Sequence, residues 1–221
     1  MTEGNEIVVG HVEAGVHGRY LLRPVEGEAP LLVGFHGYGE GADSILQALL
    51  GISAARDWHV ASIQALHRFY NRRTRDVVAG WMTKQDREWA IADNIAYVET
   101  TLAALTDRLE ISGPTVFAGF SQGAAMAYRS AAALGPKCQG IMALAGDVPP
   151  ELAEAANWSR PPVLIGRGTE DAWYNEAKWE HDEALLQGLG STVEACVYDG
   201  GHEWTGTFRR RAADFLIQLR G

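Results

Sequence analysis

Residues 115–127 read TVFAGFSQGAAMA. The first half is apolar and rich in β-branched and aromatic residues, the pattern of a buried strand. The second half is a run of small residues with high helix propensity. Gly119-Phe120-Ser121-Gln122-Gly123 joins the two. Such a G-x-S-x-G motif sets a serine on a tight strand-to-helix turn, exposed at the carboxyl edge of a sheet. The turn presses backbone against backbone, so a Cβ at either flanking position would clash. Five residues of common type say little alone; the strand before, the helix after and the partners downstream give the motif its weight.

The remaining chain alternates strand-like and helix-like stretches. Ile7 to Val9 and Tyr20 to Pro24 read as two short strands forming an edge hairpin. Leu31 to Phe35 is apolar without alternation, as a strand buried on both faces requires. It runs into a glycine-rich loop, His36 to Gly41, after which Asp43 is expected to N-cap a helix bearing Ile45, Leu49, Ile52 and Ala55. His59 to Ala65 is the next strand. Leu66 to Glu88 shows no periodicity and holds Arg68, Arg72, Arg73 and Arg75; an irregular stretch of this length is either functional or misread. From Trp89, residues Ile91, Ile95, Val98, Leu102, Leu105 and Leu109 share one helical face, and Ser112-Gly113-Pro114 is expected to stop it. Strands follow at Cys138 to Ala145, Pro161 to Ile165 and Thr192 to Tyr198, with helices over about 175–189 and around Phe208 to Leu219. This alternation predicts an α/β fold: a mostly parallel central sheet with helices on both faces. In such sheets the working residues gather in loops at the carboxyl ends of the strands.

At 221 residues, a single domain over 1–221 is expected. A net charge of −9 argues against a nucleic-acid binder, which should carry a basic face. There is no apolar run long enough for a membrane span, and the opening residues lack the apolar core of a secretory signal, so a cytoplasmic location is expected. Cys138 and Cys196 lie in apolar runs and are read as reduced buried thiols, with a disulfide as the alternative. No metal-ligand spacing is present.

Ser121, Asp171 and His202 each follow a predicted strand and so share one sheet edge. Serine needs a base to take its proton, which His202 supplies near neutral pH. Asp171 would fix the imidazole tautomer and stabilise the imidazolium. Glu170, Asp147 and Asp199 compete for that place. The oxyanion needs two donors, expected from the backbone N–H groups of Gln122 and of the His36-Gly37-Tyr38 loop. His36 is read as ordering its loop, with substrate contact as the alternative. The arginine cluster reads as a solvated face; the alternative is an anion site, since guanidinium forks bind carboxylate and phosphate. Trp81, Trp173, Tyr174 and Trp204 either pack the rim or line a substrate pocket.

FHGYGE at 35–40, GW at 80–81, GFSQGAAMA at 119–127, GIMALAG at 140–146, GTEDAW at 168–173 and GGHEW at 200–204 stand in an order that resembles the phospholipase/carboxylesterase family of α/β hydrolases, which includes acyl-protein thioesterases and small bacterial carboxylesterases. The resemblance implies Ser121 as nucleophile, Asp171 as orienting acid, His202 as base, and Tyr38 and Gln122 as backbone oxyanion donors. It implies no cofactor, and often a homodimer. Ala172-Trp173-Tyr174 stands where family members commonly carry a Val-Pro-like step, which reshapes that side of the pocket. The expected function is hydrolysis of carboxylic esters, or thioesters, through an acyl-enzyme. A lysophospholipase or a hydrolase of small anionic esters using the Arg-rich 66–81 loop is the alternative. A non-catalytic binding module on the same fold is a further one, against which the presence of all three residues argues.

Overall fold

The computed structural model describes residues 7–221. In chain order the strands are β1 (Arg19–Arg23), β2 (Ala29–Phe35), β3 (His59–Gln64), β4 (His67–Tyr70), β5 (Val77–Gly80), β6 (Ile111–Phe120), β7 (Gly140–Leu144), β8 (Val163–Gly168) and β9 (Val193–Tyr198). The helices are α1 (Ala42–Leu50), α2 (Arg87–Arg108), α3 (Gln122–Leu134), α4 (Glu176–Gly188) and α5 (Gly206–Arg220). Seven strands form one sheet in the order β1-β3-β2-β6-β7-β8-β9. Only β1 runs antiparallel, against β3; every other pairing is parallel.

β2 explains why the sheet is covered on both sides. All seven of its residues are buried, so each face of the pleat must meet apolar partners. Leu31, Val33 and Phe35 belong to one buried cluster that also takes in Val98 and Leu105 of α2, Met126 and Tyr128 of α3 and Leu186 of α4. Leu32, between them, packs on the other face with Ile45 and Leu49 of α1 and Phe208 and Phe215 of α5. The parallel connections carry every strand from β2 to β9, β4 and β5 aside, in one direction. The loops after β2, β6, β8 and β9 therefore open at one edge.

Several expectations are corrected. Ile7 to Val9 form no strand: residues 7–18 are irregular and exposed, and β1 holds the sheet edge alone. Asp43 does not cap α1. The helix starts at Ala42 with Gly41 in the cap position, where the Ser44 hydroxyl donates to the Gly41 carbonyl (2.8 Å), and Asp43 instead faces Arg19 (3.5 Å). Ile52 and Ala55 are buried beyond the end of α1. α2 ends at Arg108, ahead of Ser112-Gly113-Pro114, which belong to β6. The 66–88 stretch contains an antiparallel hairpin, β4–β5, whose turn is held by Asn71 Oδ1 accepting from the Arg73 and Thr74 N–H groups. β4 is exposed along its whole length, so no buried face imposed alternation on its sequence. Cys138 and Cys196 are buried and unpaired; burial pushes the Cys138 thiol up to about 12. Among the described residues no helix is long and apolar enough to cross a membrane.

Candidate active site

β6 delivers Ser121 into the turn before α3. Its backbone sits at φ 53°, ψ −121°, a region that costs on the order of 1–3 kcal/mol for a residue with a side chain. The turn is held from outside: the Ser121 N–H donates to the Leu144 carbonyl at the end of β7 (2.9 Å). The flanking glycines fit where nothing larger can. A Cβ at Gly119 would lie 2.3 Å from the Gly123 carbonyl oxygen, and one at Gly123 would lie 2.1 Å from that of Phe35.

Asp171 and His202 come from the loops after β8 and β9. His202 Nδ1 donates to Asp171 Oδ2 at 2.7 Å, and the Asp171 carboxylate is fully buried. Asp171 Oδ1 accepts the N–H groups of both Trp173 and Tyr174 (2.9 Å each). Three donors thus fix the position and aim of this buried carboxylate. With Nδ1 carrying its proton, Nε2 is the nitrogen left to act as a base. Trp173 meets the imidazole edge-on at 5.6 Å, and Phe120 lies 5.0 Å away. The competing acids do not hold the imidazole: Glu170 and Asp147 line the same cavity, but Glu170 is exposed and Asp147 pairs with Lys178 (3.3 Å), and Asp199 is exposed.

Ser121, Asp171 and His202 line one cavity of about 760 Å³, together with Tyr38, Gln122 and Trp173. A cavity of similar volume, about 780 Å³, opens near Leu31, Ile111 and Thr115 at the amino ends of β2 and β6, but no histidine, serine or cysteine lines it. The arrangement in the first cavity can do acyl chemistry: a hydroxyl on a protruding turn, a nitrogen base held by a buried acid, and the N-terminus of α3 with its unpaired N–H groups. The Gln122 side chain braces the far wall, accepting the Trp81 N–H at Oε1 (2.8 Å) and donating from Nε2 to the Met82 carbonyl (2.9 Å).

His36, Trp81, Trp204, Arg72 and Arg73 do not line this cavity. His36 is wholly buried, with Nδ1 donating to the Gly37 carbonyl (2.7 Å) and Nε2 accepting the Ala65 N–H (3.0 Å). Trp81 is buried too, and its Nε1–H donates to the His36 carbonyl (2.8 Å). Both order the loop that carries Tyr38. Tyr174 is buried against Asp182, its hydroxyl donating to Oδ2 at 3.0 Å. Trp204 packs on Phe208 and Phe120. Arg72 and Arg73 sit at the tip of the β4–β5 hairpin. Met82, Ala125 and Arg129, which the sequence reading passed over, do line the cavity. Arg129 left a signal: it is the charged residue in an α3 otherwise made of small, polar-neutral and apolar residues.

The buried imidazole of His36 has a consequence for acid stability. Burial lowers its pKa from 6.5 to about 4, opposed by the Gly37 carbonyl. Between those values the unfolded chain binds the proton and the folded chain does not, so stability falls as pH drops from 6.5 towards 4. The loss reaches about 3 kcal/mol at full effect. Asp182 works in the opposite sense: burial raises its pKa from 3.8 to about 6, so its contribution weakens as pH rises through that window. The expected result is that wild type minus His36→Gln, measured by urea unfolding from pH 4 to 7, isolates the His36 effect and grows with pH. A difference that is flat across the range counts against the buried neutral imidazole.

The phospholipase/carboxylesterase family matches residues 21–219. Among solved structures, esterase PE8 superposes with a TM-score of 0.76 at 24% identity, covering 92% of this chain and 100% of that one. Acyl-protein thioesterase 2 of Zea mays gives 0.70 at 20% identity over 93% and 100% of the two chains. The Bacillus cereus carboxylesterase gives 0.70 at 19% identity over 91% and 94%. At these identities the likeness shows the fold. No match is found among curated protein sequences. The family match spans nearly the whole chain, from within β1 to the end of α5, and the sheet order and covering helices agree with it: this chain belongs to the phospholipase/carboxylesterase family of α/β hydrolases.

Proposed function

We propose that this protein is a serine hydrolase that cleaves carboxylic esters, thioesters included, through an acyl-enzyme on Ser121. The observation that carries the reading is the 2.7 Å contact between His202 Nδ1 and the buried Asp171 carboxylate, in the same cavity as the strained Ser121 turn. His202 Nε2 takes the hydroxyl proton as Ser121 Oγ attacks the carbonyl, then gives it to the leaving alcohol or thiol. Water repeats the cycle in reverse and frees the acid. The backbone N–H groups of Gln122 and Tyr38 serve as donors to the oxyanion. Gln122 is the first residue of α3, so its N–H has no partner within the helix and lies at the positive end of the dipole. Tyr38 sits in the loop pinned by His36 and by the Gly39 N–H donating to the Ala79 carbonyl (2.9 Å). The chemistry of this reading draws on side chains, backbone and water alone.

A fluorophosphonate probe tests the assignment, because it phosphonylates only an activated serine. Expected is a single adduct mapped by peptide mass spectrometry to Ser121, lost in Ser121→Ala along with on the order of 10⁴-fold or more of p-nitrophenyl acetate turnover. An unlabelled but folded wild type would favour a non-catalytic binding module; an adduct on another residue would move the nucleophile.

A further inference from the structure

Arg129 stands just over two turns beyond Ser121 on α3, about 12 Å along the helix axis. Helical side chains lean toward the N-terminus, so its guanidinium reaches back along the cavity that Ser121 lines. The side chain is 5% exposed. Its Nε donates to Glu151 Oε1 at 2.7 Å, and Nη1 approaches Met82 Sδ at 3.5 Å, a weak acceptor. Glu151 also accepts from Arg87 (3.3 Å), so one carboxylate serves two guanidiniums and the trio carries a single net positive charge. Three carboxylates line the same cavity: Asp147, paired with Lys178 (3.3 Å), Asp171, bonded to His202, and Glu170 at the exposed rim; Arg129 is the one arginine or lysine among the lining residues. A cavity meant only for an apolar chain would be better walled by leucine or methionine, because a buried cation is costly wherever its donors lack strong acceptors. A guanidinium fork with donors to spare fits a carboxylate.

We propose that Arg129 selects the substrate: the cavity takes esters that carry a carboxylate, the ester carbonyl lying at Ser121 and the carboxylate on the Arg129 fork. This deepens the ester-hydrolase reading and rests on it. It also moves anion recognition away from Arg72 and Arg73, which sit at the hairpin tip, to a buried residue on the helix that starts beside the serine.

The test compares kcat/KM for paired esters of equal length. One pair puts the charge on the acyl side, the p-nitrophenyl half-ester of adipic acid against p-nitrophenyl hexanoate. The other puts it on the alcohol side, 6-acetoxyhexanoate against hexyl acetate. Wild type is expected to favour the charged member of at least one pair, which identifies the side that carries the carboxylate. Arg129→Met is expected to cut that ratio by about 10–100-fold. The ratio cancels any loss of folded enzyme. Glu151→Gln removes the competing carboxylate and should raise the ratio, and it carries the test if Arg129→Met does not fold. Calorimetry with monomethyl adipate on Ser121→Ala reads the anion site without turnover; adding Arg129→Met should abolish that binding. Absent turnover with Arg129-dependent binding would support the site and sink the hydrolase reading. Ratios near one in wild type, or unmoved by both substitutions, overturn the proposal while leaving ester hydrolysis standing.

Discussion

Asp171→Asn is expected to fold as wild type does and to lose on the order of 10³–10⁴-fold in kcat. The reason lies in what already holds the carboxylate. Oδ1 accepts two backbone N–H groups, from Trp173 and Tyr174. An amide at this position must offer its carbonyl oxygen to those donors, since turning its NH₂ toward them would set donor against donor twice in a buried site. The NH₂ is then forced to face His202 Nδ1, where a proton acceptor now stands in place of a donor. The imidazole proton shifts to Nε2, and the nitrogen meant to take the serine proton has no lone pair to offer. The carbonyl keeps both turn contacts, so the urea midpoint should move little. Two measurements check this: steady-state hydrolysis of p-nitrophenyl acetate, and the ¹⁵N shifts of His202, which should report protonated Nε2. A kcat within tenfold of wild type would mean that Asp171 does not set the tautomer.

What the sequence made legible follows from how local each feature is. The turn around Ser121 is encoded in consecutive residues, because a strand, two glycines and a run of small helix formers each enforce their part within a few positions. Asp171 and His202 could be ranked from strand order alone, since parallel strands carry their following loops to one edge. The walls of the cavity were less visible, because they depend on where a side chain points after packing. Nothing in the spacing of His36, Trp81 or Trp204 shows that the first two turn inward to fix the Tyr38 loop while Trp204 packs on Phe208. The arginines of 66–75 drew attention as a cluster, yet a short exposed hairpin carries no buried face from which periodicity could be read. Arg129 is hard to read for the opposite reason. It is a single charge in an apolar helix, and its meaning depends on Glu151, 22 residues away, and on Met82, 47 residues away.

Gly123→Ala should be the most damaging single methyl group in the chain. Its Cβ would lie 2.1 Å from the Phe35 carbonyl oxygen, 2.5 Å from the Phe35 carbonyl carbon and 2.6 Å from the His36 carbonyl oxygen. All three are backbone atoms at the end of β2, a strand buried throughout and paired on both sides, so none can rotate away as a side-chain tip would. Relief requires α3 to move off the sheet. That would carry Ser121 and the Gln122 N–H out of register with His202 and with the Tyr38 loop, and would loosen the packing of Met126 and Tyr128. A cost of about 3–5 kcal/mol is expected, a large part of the stability of an ordinary domain. Gly188→Ala is the control. It lies at the end of α4 with nothing within 4 Å of the added carbon, and it should be neutral or stabilising by up to about 1 kcal/mol. Urea unfolding of the two variants side by side separates a specific clash from a general intolerance of glycine replacement. Gly123→Ala within about 1 kcal/mol of wild type and fully active would show that α3 does not need this close approach to β2 to hold the serine turn.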